Sequence, residues 1–113
     1  MKRFLALLCA VGMLLVVVVP AAAESYSASV NGTSAYTRLT DGSYGAATVS
    51  GSNSPQSGKM RYYGYSTNNG YTDTGTAWAG ENFSRYYQGS GQWRAHAERN
   101  ANYPVYGIVT ITA

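Results

Sequence analysis

Sulfur cross-links cannot hold this chain together, because its 113 residues include a single cysteine, Cys9. With no disulfide available, the fold must rest on its own core. One histidine, His96, and no second cysteine leave no ligand set with zinc spacing, so neither metal nor cofactor is expected. Helical periodicity is missing as well: beyond residue 23 no segment of ten residues repeats apolar side chains at helical spacing. There is no Gly-x-Ser-x-Gly elbow, and no glycine-rich phosphate loop leads a strand into a helix. Charge is also scarce. Beyond residue 23, six basic residues (Arg38, Lys59, Arg61, Arg85, Arg94, Arg99) face five acidic ones (Glu24, Asp41, Asp73, Glu81, Glu98), a net charge of 6 − 5 = +1. The larger excess of the whole chain comes from Lys2 and Arg3. No basic cluster of the kind a phosphate backbone demands is present, and nucleic acid is not expected as a partner.

The beginning of the chain indicates a compartment. Lys2 and Arg3 precede an apolar run from Phe4 to Val19, broken only by Gly12, and Pro20 then leads into Ala21-Ala22-Ala23. A basic start, an apolar core and an Ala-x-Ala end predict a helical secretion signal over residues 1–23, cleaved after Ala23. The run is shorter than the roughly 20 residues of a spanning helix, so no membrane span is expected once the signal is removed. Cys9 lies inside that run rather than at its end, which argues against lipid attachment. The expected mature protein is extracellular: one domain over residues 24–113, that is 113 − 23 = 90 residues.

Aliphatic side chains are few in that segment: Val30, Leu39, Val49, Val105, Ile108, Val109 and Ile111 are its only Val, Leu and Ile. Aromatics must supply the rest of the core, and eleven tyrosines, Trp78, Trp93 and Phe83 are at hand. Each buries on the order of 150–250 Å². Buried phenols need hydrogen-bond partners, so part of this set is expected at the surface.

Short alternating runs separated by Gly, Asn, Ser and Asp predict strands over 25–31, 33–39, 43–50, 59–66, 74–79, 83–88, 92–99 and 105–112. Residues 51–58 (GSNSPQSG) read as a loop around Pro55. Trp93, Ala95 and Ala97 should face a core while Arg94, His96 and Glu98 face out. In the last run, apolar residues on both faces suit a strand in the middle of a sheet. The expected fold class is all-β, a small antiparallel β-sandwich, with a partly open barrel as the alternative.

The candidate sites are sparse. His96 has no partner to act on as a base and reads as a solvated surface residue. Asp73-Thr74-Gly75 matches the triplet of aspartic proteases, but Gly70, Tyr71 and Thr72 replace the large apolar run that precedes it there, so a polar turn is expected. The segment KMRYYGYS is more informative. Strand alternation places Lys59, Arg61, Tyr63 and Tyr65 on one side, with Met60 and Tyr62 on the other. The charges mark the first side as wet, so Arg61, Tyr63 and Tyr65 are expected to form a flat aromatic platform, which Trp78 could extend. Cross-strand packing of the rings, without any ligand, is the competing explanation.

At Gln92–Asn100 (QWRAHAERN) the chain resembles the small exported bacteriocins of the lactococcin 972 type in its tryptophan followed by small–charged alternation. The resemblance implies a cysteine-free β-sandwich and antibacterial activity. The Gly- and Trp-containing N-terminal segment of that family is missing here, and VYGIVTITA replaces its aromatic C-terminal end. Three functions follow. The first is a non-enzymatic binding protein for an extracellular or cell-surface protein or glycan, using Arg61, Tyr63, Tyr65 and Trp78. The second is a secreted bacteriocin-like toxin. The third is a small hydrolase resting on Asp73.

Overall fold

The computed structural model describes residues 24–113. The secretion signal expected over residues 1–23, Cys9 included, lies outside the described residues. Nine strands form: β1 (Ser25–Gly32), β2 (Ser34–Tyr36), β3 (Ala46–Asn53), β4 (Met60–Ser66), β5 (Gly70–Tyr71), β6 (Gly75–Ala77), β7 (Asn82–Gln88), β8 (Trp93–Arg99) and β9 (Val105–Thr112). They make two antiparallel sheets packed as a sandwich. The first has the order β1-β9-β3-β7, and the second the order β2-β8-β4-β5, with β6 also pairing with β4. Among the described residues no closed barrel is formed. Among the described residues no helix is long and apolar enough to cross a membrane.

Alternation decides which side chains meet between the sheets. The second sheet sends in Trp93, Ala95 and Ala97 from β8 with Met60 and Tyr62 from β4, all buried. The first sheet answers with Val49, Val105, Val109 and Ile111, each fully buried, and with Phe83 and Tyr87 from β7. The scarcity of aliphatics is met as expected: Tyr62 stacks on Phe83 with centroids 4.1 Å apart, bridging the sheets. The buried polar ends of Trp93 and Tyr87 find partners, whereas Asn53 Oδ1 is buried without one. Trp93 Nε1 donates to the Tyr44 carbonyl at 3.0 Å, and the Tyr87 hydroxyl donates to the Asp73 carbonyl at 2.7 Å. Strand β9 is an interior strand, pairing with β1 on one side and β3 on the other, but the apolar residues of its outer face, Tyr106 and Ile108, are exposed.

Three boundaries differ from the sequence expectation by three residues. The run over 33–39 is a strand only through Tyr36. Beyond it the backbone still follows β8, but threonine hydroxyls replace part of the ladder. Thr37 Oγ1 and Thr40 Oγ1 accept the amides of Ala95 and Trp93, both at 3.0 Å. The strand expected from residue 43 begins at Ala46, because Tyr44 is engaged elsewhere. Its amide donates to the Gly91 carbonyl and its hydroxyl to Glu24. Finally, β3 runs on through Gly51, Ser52 and Asn53, which pair with β9 although their composition reads as loop. Gly51 is required there, since a Cβ would stand 2.0 Å from the Ile108 carbonyl oxygen. The strand β5 is an addition, made possible by the turn Asn68-Asn69-Gly70, where Gly70 has φ 79°.

Candidate functional site

The outer face of the second sheet carries a packed aromatic cluster, and its register explains the arrangement. Tyr36 on β2 pairs with His96 on β8, and His96 pairs in turn with Tyr63 on β4. These three outward side chains therefore form one row across three strands. The His96 and Tyr63 rings stack with centroids 4.9 Å apart and planes 8° apart, and Tyr36 stacks on the opposite face of His96 at 5.4 Å. Those separations are close to the strand spacing of about 4.8 Å, so the rings stand upright and turn their faces to one another.

A second row lies two residues along. Arg94 on β8 pairs with Tyr65 on β4, which pairs with Tyr71 on β5. The Arg94 guanidinium lies over the Tyr65 ring at 4.6 Å and near the Tyr36 ring at 5.3 Å, a cation–π arrangement. Tyr71 does not stay above its own strand. Its ring centroid is 5.7 Å from Tyr63 and 5.5 Å from His96, edge-on to both. Since β4 separates β5 from β8, the Tyr71 side chain leans inward across β4. The third row holds Arg61 and Glu98, directly paired; Arg61 Nε donates to Glu98 Oε1 at 2.9 Å and its Nη2 reaches the same oxygen. Between these rows is an open depression of about 270 Å³ lined by Arg61, Tyr63, Tyr71, Thr72, Thr74 and Glu98. That space suits one ring-sized group rather than a larger ligand.

The expected site residues divide accordingly. Arg61, Tyr63 and Tyr65 do share the outward face, each half-buried, and Met60 and Tyr62 are internal. The platform is not flat, however. Tyr63 spends a ring face on His96, and Arg94 occupies that of Tyr65. On this face the strongly exposed rings are Tyr36 at 64% and Tyr71 at 63%. Trp78 does not join them. It follows Ala77, which pairs with Met60, and so stands beyond the opposite end of β4 from Tyr65. There the Lys59 ammonium lies 4.5 Å from its ring centroid, and its amide donates to Glu81 Oε1 at 2.7 Å.

His96 is a correction to the sequence reading. Instead of being solvated, it is half-buried between two tyrosines, and its Nε2 accepts the Arg94 Nε–H at 2.9 Å. Burial, and next the Arg94 charge, push its pKa from 6.5 down to about 4. The imidazole is therefore neutral, with Nε2 as its acceptor. Burial, followed by the Glu98 carboxylate, raises the Tyr63 phenol, which stays a hydrogen-bond donor. Sequence reasoning missed Tyr36, Tyr71 and the role of His96. The signal was available only as register: Tyr71 sits just past the Asn68-Asn69-Gly70 turn that returns the chain beside Tyr65.

Chemically, the face offers aromatic edges and faces, a guanidinium, a carboxylate and two threonine hydroxyls. It sets no nucleophile against a base. Asp73 is exposed in the link between β5 and β6, and its carbonyl is what Tyr87 uses. Among the described residues no three His, Cys, Asp or Glu side chains come together as a metal site. The bacteriocin-like segment Gln92–Asn100 falls on β8, whose alternation builds the core. A scan against protein-family models gives no match, and a search of the curated proteins gives none either.

Proposed function

We propose that this chain is a secreted, non-enzymatic binding protein, and that the outer face of its second sheet recognises a glycan of a cell envelope or host surface. The carrying observation is the pair of strongly exposed rings, Tyr36 and Tyr71, held on either side of the packed His96–Tyr63 stack and beside the depression at Arg61 and Glu98. A sugar ring presents C–H groups on its faces and hydroxyls around its rim. The C–H face suits a tyrosine ring, and the rim suits a guanidinium, a carboxylate and threonine hydroxyls. The scaffold supports this use, since the stacked rows fix the rotamers beneath the exposed rings and less entropy is lost on binding. Export is supported by the basic–apolar–alanine pattern of residues 1–23.

The test is retention of purified protein on a glycan array, repeated with Tyr36→Ala and Tyr71→Ala. Retention should fall at least about tenfold in each, with little change in thermal melting. Unchanged retention in both variants would remove this face from recognition. A spot assay against bacteria separates binding from the antibacterial reading.

A further inference from the structure

Independently of the aromatic face, we propose that the outer face of the first sheet is a second docking surface, and that its partner is an uncharged polysaccharide. The registers of β1, β9, β3 and β7 align Ser27, Thr110, Ser50 and Ser84 in one row across all four strands. The adjacent row is Ser25, Thr112, Thr48 and Tyr86, and on the other side Ser29, Ile108, Ser52 and Asn82 follow. Hydroxyls thus repeat at about 4.8 Å across the strands and about 6.8 Å along them. Among the described residues, these four strands place no charged side chain on this face. Of the eleven charged residues in 24–113, only Arg85 belongs to these four strands, and it turns away. Its Nη1 donates to the Thr74 carbonyl and its guanidinium lies 5.4 Å from the Tyr87 ring centroid.

An open face with no charge is unusual for a small soluble domain, and its chemistry selects a partner. A charged polymer would meet no counter-charge. An apolar surface would strand the hydroxyls away from water, at a cost for each. A second copy would find large apolar contact only at Tyr86, Tyr106 and Ile108, because the serines and threonines that fill most of the face offer far less apolar area than a stable dimer buries. A neutral hydroxylated chain exchanges hydrogen bonds with water for equivalent ones. Ser25 with Thr112 and Ser27 with Thr110 already pair at 3.3 and 2.7 Å, and each pair keeps one donor and several lone pairs for a partner. Tyr86, Tyr106 and Ile108 rise exposed from the same face. They interrupt the flatness that a rigid water lattice would need, yet give a sugar chain rings and a methyl surface to lie against.

The test is depletion of purified protein by microcrystalline cellulose and by chitin, with immobilised polygalacturonate as the charged counterpart. Depletion is expected on at least one neutral solid and not on the charged one. Thr110→Lys and Ser50→Lys, at the middle of the row, should lower retention about tenfold or more. Thr110→Val, which keeps shape and removes only the hydroxyl, should lower it measurably with an unchanged circular dichroism spectrum. No depletion by either neutral solid, or equal retention of all three variants, overturns the proposal. Loss of ice-growth inhibition or of self-association in Thr110→Lys, without any polysaccharide retention, overturns it in favour of ice or a second copy. Retention that disappears with Tyr71→Ala but survives Thr110→Lys belongs to the aromatic face and refutes this surface alone.

Discussion

The two outer faces of the sandwich share one core and differ in almost every other respect. On the second sheet, Tyr36, His96, Tyr63, Tyr65 and Tyr71 are interleaved with Arg94, Arg61 and Glu98. On the first, serine and threonine hydroxyls repeat without a charge among them. The core needs only alternate residues of each strand, so the other half of every strand is free to vary. Here one sheet uses that freedom for large, mutually packed side chains and the other mostly for small hydroxyl-bearing ones, with Tyr86, Tyr106 and Ile108 exposed among them. The aromatic face is tied together by ring stacking and cation–π contacts, the hydroxyl face by the Ser25–Thr112 and Ser27–Thr110 pairs.

The largest test of this comparison attacks what the faces share. Trp93 is fully buried and hydrogen-bonded to the Tyr44 carbonyl. Trp93→Ala should cost about 3–5 kcal/mol in denaturant unfolding and disturb both faces together. Gly51→Ala should act on one sheet only. The added Cβ meets the Ile108 carbonyl at 2.0 Å. A loss of roughly 1–3 kcal/mol is expected, with amide exchange accelerated in β3 and β9 but not in β4 and β8. Uniform acceleration across both sheets would show that the sheets are not separable in this way.

Next, Tyr63→Ala should cost about 1 kcal/mol, because the stack on His96 is lost. Tyr71→Ala and Thr110→Val should move the melting temperature far less. If Thr110→Val destabilised as much as Tyr63→Ala, the contrast between a packed and an unpacked face would fail.

The smallest effects are in pH. His96 has a folded pKa of about 4 against an ordinary 6.5, so the unfolded chain binds the extra proton between those values. Its contribution is whole above pH 6.5 and is lost as pH falls toward about 4. His96→Gln should flatten that part of a melting-temperature profile. Glu24 acts lower. Its carboxylate receives the Tyr44 hydroxyl and the amides of Gly42 and Asp41, which hold its pKa near 2 rather than 4.5. That contribution is present above pH 4.5 and is lost as pH falls through about 2. Glu24→Gln should remove this lower limb and leave the His96 limb in place.

Much of the fold was legible in the sequence. The alternation of β8 and of β4 named the buried residues correctly, because in a strand the side of a residue follows from parity alone. What escaped was the behaviour of segments whose neighbours supply their hydrogen bonds. Thr37 and Thr40 end β2 while still bonding to β8, and Gly51 to Asn53 extend β3 through a composition that reads as loop. His96 was misread for the same reason. Its own strand shows only Arg94 and Glu98 beside it, while the two tyrosines that enclose it come from β2 and β4.

The sequence by itself determined the absence of disulfides, the all-β class and which half of each strand is apolar, since all of these depend on residue type and parity. The tertiary structure alone decided which strands became neighbours, and hence that Tyr36, His96 and Tyr63 form one row while Ser27, Thr110, Ser50 and Ser84 form another. Parity gives each residue a face, but only the register of strands distant in the chain gives it neighbours on that face. The chemistry of both surfaces lies in those neighbours.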